Sequence, residues 1–145
     1  MKSVTLIVFT ILLLSTFHQL LAQRKDSKEP AKHRIVIQFN DPDSVSQVRT
    51  LLQVQNVKKL WPDAEIEVVC LGGGLDLLMS KNSKASNQVA DWSGKGVIFA
   101  ACNNTMMNRK VTKEDLLPQA VVVPAAIIEL ATKQEEGWSY FRGGK

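Results

Sequence analysis

The stretch GKGVIFAACNNTMMNRK, from Gly94 to Lys110, sets one nucleophile at a place where backbone geometry favours reactivity. An apolar run, Val97 to Ala101, stops at Cys102, and polar Asn103, Asn104 and Thr105 follow at once. That pattern predicts a strand ending at the cysteine and a helix starting just after it. The N–H groups of a first helical turn point back toward such a residue, and with the helix dipole they favour thiolate over thiol. A thiolate accepts sulfur, passes it on, or oxidises. Position alone leaves a second reading open, because a free cysteine also packs as a small inert hydrophobe. The second cysteine, Cys70, lies inside an apolar strand pattern beside Val68 and Val69 and reads as a packed residue. A Cys70–Cys102 disulfide is the third option if their strands are neighbours at matching height.

Other chemistries lack their residues. The chain has two histidines, His18 near its start and His33 at the head of the first strand, so no metal-ligand set is visible. His33 belongs at the amino end of a strand and Cys102 at a carboxyl end, which keeps a Cys/His dyad from forming. The run Gly72-Gly73-Gly74 has neither the G-x-G-x-x-G spacing of a dinucleotide fold nor the lysine of a phosphate loop. These glycines read as a tight turn with close chain approach. No cofactor is expected. The net charge of +4 is mild and its basic residues are scattered, so no nucleic-acid partner is expected either. Asn103-Asn104-Thr105 also spells a glycosylation sequon.

The elements that must position Cys102 alternate along the chain. His33–Phe39, Glu65–Leu71, Gly96–Ala101, Ala120–Val123 and Trp138–Phe141 read as strands. Between them come a helix over Pro42–Leu60 capped by Asp41, a second beginning at Leu75, short helical pieces near Gln88–Asp91, Asn103–Arg109 and Lys113–Leu117, and a last helix opened by Pro124 and closed by Gly137. In the long helix Val45, Val48, Leu52, Val57 and Leu60 recur at helical spacing, and Glu129 and Lys133 form an i,i+4 pair on the outer face of the last one. Continuous apolar strands separated by helices call for a three-layer α/β/α sandwich around a five-stranded, mostly parallel sheet. In such sheets sites form outside the carboxyl ends of the strands, which is where Cys102 falls.

Residues 1–22 read as a signal peptide: Lys2, then an apolar run from Val4 to Leu14, then Ala22 before Gln23. Residues 23–32 read as a polar linker and 33–145 as one domain. The expectation is a periplasmic or secreted protein with no membrane partner once the signal is removed.

From IEVVCLGGGLDLLM and from FAACNNTMMNRKVTKEDLLPQAVVVPAAIIELATKQEEGWSYFR, the chain resembles the DsrE/DsrF-like family, in a subgroup carrying export signals. The resemblance rests on the cysteine-ended strand with its small polar run, the Thr112–Pro118 turn, the Val122–Pro124 strand end and the Lys133–Tyr140 ending. It implies a five-stranded parallel sheet, assembly into a homotrimer or homohexamer, and a sulfur-relay role in which Cys102 carries persulfide between a donor and an acceptor protein. The alternative is a non-enzymatic oligomeric binding module whose cysteine is structural or disulfide-bonded. Trp92, Trp138 and Phe141 are the aromatic candidates for burial between subunits.

Overall fold

The computed structural model describes residues 32–144. The expected signal peptide and all but the last residue of the expected linker lie outside the described residues. Five strands, β1 (Arg34–Phe39), β2 (Glu65–Cys70), β3 (Ile98–Cys102), β4 (Ala120–Val123) and β5 (Ser139–Arg142), form one sheet in the order β4-β3-β2-β1-β5. Every pairing is parallel. The helices are α1 (Ser44–Leu60), α2 (Ser86–Ser93), α3 (Asn103–Arg109) and α4 (Ala126–Glu135), with 3-10 turns at Gly72–Leu78 and Lys113–Asp115. The expected α/β sandwich is the observed fold.

The two faces of the sheet bury different residues because side chains alternate along a strand. One face carries Ile37, Phe39, Ile66, Val68, Cys70, Phe99 and Ala101, packed with Leu51 and Val54 of α1, Val89 of α2 and Met106 of α3. Phe39 and Phe99 are fully buried, and each such side chain contributes about 1.5–3 kcal/mol by leaving water. The other face carries Val36, Val69, Ala100 and Cys102, packed with Ala126 and Leu130 of α4 and with Trp138.

That alternation removes the intrachain disulfide. Cys70 pairs in register with Ala101, so Cys102 stands one residue further on and projects from the opposite face. Both cysteines are free. A pleated sheet separates their sulfurs, and no side-chain rotation brings them together.

Several elements depart from the sequence expectation. The cap of α1 is Asp43, not Asp41: its Oδ1 accepts the N–H of Val45 at 2.9 Å and of Ser46 at 3.0 Å, so the helix begins at Ser44. Of the five spaced apolar residues of α1, Val57 packs against the core and the other four lie on the outer face. Val45, Val48, Leu52 and Leu60 are exposed, while Ser46, Gln47, Thr50, Leu51 and Val54 face the sheet. The polar members of that inner face are satisfied, Thr50 Oγ1 donating to the Ser46 carbonyl at 3.0 Å and Gln47 Oε1 accepting the Lys84 N–H at 3.1 Å. The expected helix at Leu75 is a 3-10 turn starting at Gly72, and Pro124 precedes α4, which begins at Ala126.

Lys133 also faces inward. Its Nζ lies 2.9 Å from Glu67 Oε2, a carboxylate of β2 that is buried, and 3.7 Å from Glu129. It sits over the ring of Trp138 at 4.5 Å. Trp138 is buried against its own chain, and Trp92 is partly buried against the core. Of the three aromatic candidates, Phe141 stays exposed.

Candidate functional site at the carboxyl edge of the sheet

Four loops meet at the carboxyl edge: Asn40–Asp43 after β1, the glycine turn after β2, Cys102 and α3 after β3, and Pro124–Ala125 with α4 after β4. The glycines let two of these loops touch. A Cβ on Gly74 would run into the backbone of Phe39 and Asn40, and one on Gly73 would sit 2.9 Å from Pro42 Cβ. Gly72 takes a left-handed φ of +53°, against the Asn40 carboxamide. Close approach, rather than a phosphate cradle, accounts for the run.

The glycine turn is tied to α3 from both ends of that helix. The Gly72 N–H donates to Thr105 Oγ1 at 3.0 Å, and Arg109 Nη1 donates to the Gly72 carbonyl at 3.0 Å. Arg109 Nη2 pairs with Asp76 Oδ1 at 2.6 Å. Arg109, the first cation along the chain after Cys102, is therefore spent on the glycine turn and not on the sulfur.

Cys102 is the N-cap residue of α3, with extended backbone at φ −71° and ψ 114°. Only 4% of the residue is exposed. The hydrogen bond its sulfur accepts comes from a different helix. The N–H of Ala126, first residue of α4, points at Cys102 Sγ at 3.3 Å. Two helix starts thus converge on one sulfur, because β3 and β4 pair with Cys102 opposite Val123 and α4 begins three residues later.

These surroundings oppose one another. Burial pushes the thiol up, while the Ala126 N–H, the Thr105 hydroxyl and the N–H groups of Thr105 and Asn104 pull it down. The donors win, and the thiol ionises below its ordinary value. Cys70, fully buried on the other face with no such donors, is pushed strongly up. The arrangement can therefore hold a thiolate, or an anionic sulfur bonded to it, at Cys102 and not at Cys70.

The sequence-derived site residue is where it was expected, and His33 is not near it. His33 stacks on Trp61 at 3.8 Å, at the amino end of β1. A groove of about 350 Å³ between α1 and α2, lined by Gln55, Lys58, Lys59, Pro62, Trp92 and Lys95, also lies at that rim and contains no nucleophile–base pair. Sequence reasoning anticipated the Asn104 and Thr105 amides. It missed the Thr105 hydroxyl, whose position three residues after the cap was the available signal, and Ala126, for which an alanine after Pro-Ala offers none.

Comparison with known proteins agrees with this architecture. No curated protein matches the chain. Among solved structures, the protein of unknown function MTH1491 from Methanobacterium thermoautotrophicum is similar at 33% identity and a TM-score of 0.67, over 77% of this chain and 99% of that one. The fold is also that of the conserved protein of unknown function BT1422 from Bacteroides thetaiotaomicron, at 14% identity, a TM-score of 0.62, and 80% and 99% coverage. It is shared too by the ychN protein of E. coli, at 11% identity, a TM-score of 0.62, and 77% and 98% coverage. The DsrE/DsrF-like family matches residues 33–142, which takes in the whole sheet and the cysteine at its carboxyl edge, and the chain belongs to that family.

Proposed function

We propose that this protein is a persulfide carrier acting through Cys102. The observation that carries the reading is the pair of helix starts at one sulfur, with the Ala126 N–H 3.3 Å from Sγ. Membership of a family associated with sulfur relay adds to it. In the reaction, the Cys102 thiolate attacks the terminal sulfur of a persulfide or polysulfide donor. A sulfur–sulfur bond forms at Cys102 as the donor's breaks, and the electron pair leaves on the donor's remaining sulfur. An acceptor thiolate then removes the terminal sulfur from Cys102 by the same displacement. Sulfur is transferred without net oxidation, and the Cys102 proton has already gone to solvent. Among the described residues no base hydrogen-bonds Cys102, so the thiolate is held ready by hydrogen-bond donors such as the Ala126 N–H.

The exported location and the trimeric or hexameric assembly belong to this reading. Exposed apolar side chains support assembly: Val45, Val48 and Leu52 along α1, Ile127 and Ile128 on α4, and Val121 on the edge strand β4. A strictly monomeric mass in light scattering at micromolar concentration would remove that part.

The central test is mass spectrometry of purified protein after incubation with polysulfide. The expected result is a gain of one or more sulfur atoms on Cys102, reversed by reductant and absent in Cys102→Ser. No gain, or a gain on Cys70, refutes the carrier. In that case the binding-module reading, in which the exposed apolar surface rather than the thiol does the work, takes its place.

A further inference from the structure

We propose that Cys102 takes its sulfur from a small sulfane-sulfur donor of the polysulfide class, not from a persulfide on another protein, and that Leu71 and Val123 impose this selection. The inference rests on the carrier reading and names its substrate class. The sheet register fixes the walls around the sulfur. Val123 of β4 stands directly opposite Cys102. On the other side Cys70 pairs with Ala101, and Leu71 follows with extended backbone, its N–H donating to the Phe39 carbonyl at 3.0 Å. Leu71 therefore continues β2 by one residue and comes level with Cys102. Cys70 faces the other layer, so alternation turns Leu71 to the Cys102 side, where it and Val123 pack against the same cluster. Neighbouring strands lie about 4.8 Å apart, so an aliphatic side chain flanks the sulfur on each side. The start of α4 covers it, with Ala126 buried and its N–H 3.3 Å from Sγ.

Such a slot limits the donor by size. During transfer three sulfurs stand in line, one more than in a disulfide. The two Cα atoms of a disulfide are about 4.4–6.8 Å apart, and the extra sulfur adds about 2 Å. A protein donor would have to bring its backbone within about 9 Å of the Cys102 Cα. That is the spacing at which whole helices pack, about 8–10 Å. The space over Cys102 at that spacing already holds the start of α4, between Leu71 and Val123. A polysulfide is one atom wide and has no backbone to place, and its polarisable sulfur suits apolar walls. The Cys102 thiolate attacks its terminal sulfur. A bond forms at Cys102 as the next bond of the chain breaks, and the electron pair leaves on a polysulfide one sulfur shorter. The acceptor faces the same limit, because its attack passes through three sulfurs in line as well.

The experiment compares two donors, sodium tetrasulfide and ubiquitin persulfidated at one engineered surface cysteine. The initial rate of sulfur gain on Cys102 is read by mass spectrometry, and each rate is divided by that donor's rate with glutathione. Wild type should prefer tetrasulfide by at least about tenfold. Leu71→Ala and Val123→Ala each open one wall and should each lower that preference by about fivefold or more. Leu71→Met keeps the volume of the wall and should retain the preference to within about twofold. Resistance of Cys70 to iodoacetamide shows that each variant is folded. A wild type without preference overturns the proposal. So does a preference that either alanine variant leaves intact, or one that Leu71→Met loses as fully as Leu71→Ala. Loading from both donors at equal normalised rates removes the selection and leaves the carrier standing. Loading from neither removes the carrier reading, and this inference with it.

Discussion

Replacing Lys133 by methionine should destabilise the domain in a way that depends steeply on pH. Lys133 neutralises Glu67 at 2.9 Å on the sheet face beneath α4, where only 3% of the Glu67 side chain is exposed. Burial already raises the Glu67 carboxyl, and Lys133 is the main influence lowering it again. Without the lysine, Glu67 either stays ionised and unpaired or takes up a proton. Protonation sets the ceiling. Relative to an ordinary value of 4.5, the cost at pH 7 is about 1.36 kcal/mol per unit, or about 3.4 kcal/mol. Wild type carries part of that cost already, so the expected loss is about 2–3 kcal/mol. The sign follows from linkage. A carboxyl whose folded value is raised gives stability that is complete below its unfolded value and is lost as pH rises through the folded one. The deficit of Lys133→Met should therefore shrink as pH falls and vanish near the ordinary value of 4.5. Glu67→Gln removes the buried charge itself, leaves Lys133 with Glu129, and should cost less than about 1 kcal/mol. Urea denaturation of the three proteins at several pH values between about 5 and about 7 provides the measurement. A Lys133→Met loss under about 1 kcal/mol at neutral pH, or one that does not change on acidification, would refute the description of this pair as a buried charge held by one partner.

Cys102→Ser should be compared with wild type across neutral to alkaline pH. The thiol is lowered in the folded state, so its contribution is present above the ordinary thiol value of 9.0 and is lost as pH falls through the lowered one. The wild-type advantage should therefore grow with pH in denaturation curves, and a flat difference contradicts the lowered thiol. Cys70, pushed up by burial, should resist iodoacetamide until the domain unfolds; modification of native protein at Cys70 would contradict its packing. Gly74→Ala would press a methyl group into the Phe39 and Asn40 backbone and should cost about 1–3 kcal/mol in the same assay. Asp43→Ala deletes the acceptor of two first-turn N–H groups and should cost about 1 kcal/mol in urea denaturation, with faster amide exchange at the start of α1.

The sequence by itself determined what local patterning can encode. Alternating apolar runs and turn residues specified the βα order, and Ala120–Val123 and Asn103–Arg109 fall on their observed boundaries. The same reading set Cys102 between a strand end and a helix start, since strand, cap and first turn are contiguous in the chain. It failed where a partner is remote. The apolar spacing of α1 is real, but helical period says which residues share a face and not which face meets the sheet; here the inner face carries Ser46, Gln47 and Thr50. Lys133 is as well spaced for Glu129 as an exposed helix pair should be, yet it turns toward Glu67, sixty-odd residues earlier, because α4 lies across β2. The disulfide question was undecidable from two cysteine positions. Only the pairing of Cys70 with Ala101 shows the two sulfurs on opposite faces, and a shift of one residue would have reversed the answer. The Ala126 N–H reaches Cys102 because β4 pairs beside β3 and its loop starts a helix at the height of the sulfur. Register and helix docking come from the summed packing of the whole sheet. Only the tertiary structure could therefore turn a cysteine at a strand end into a residue that begins one helix while its sulfur accepts the first N–H of another.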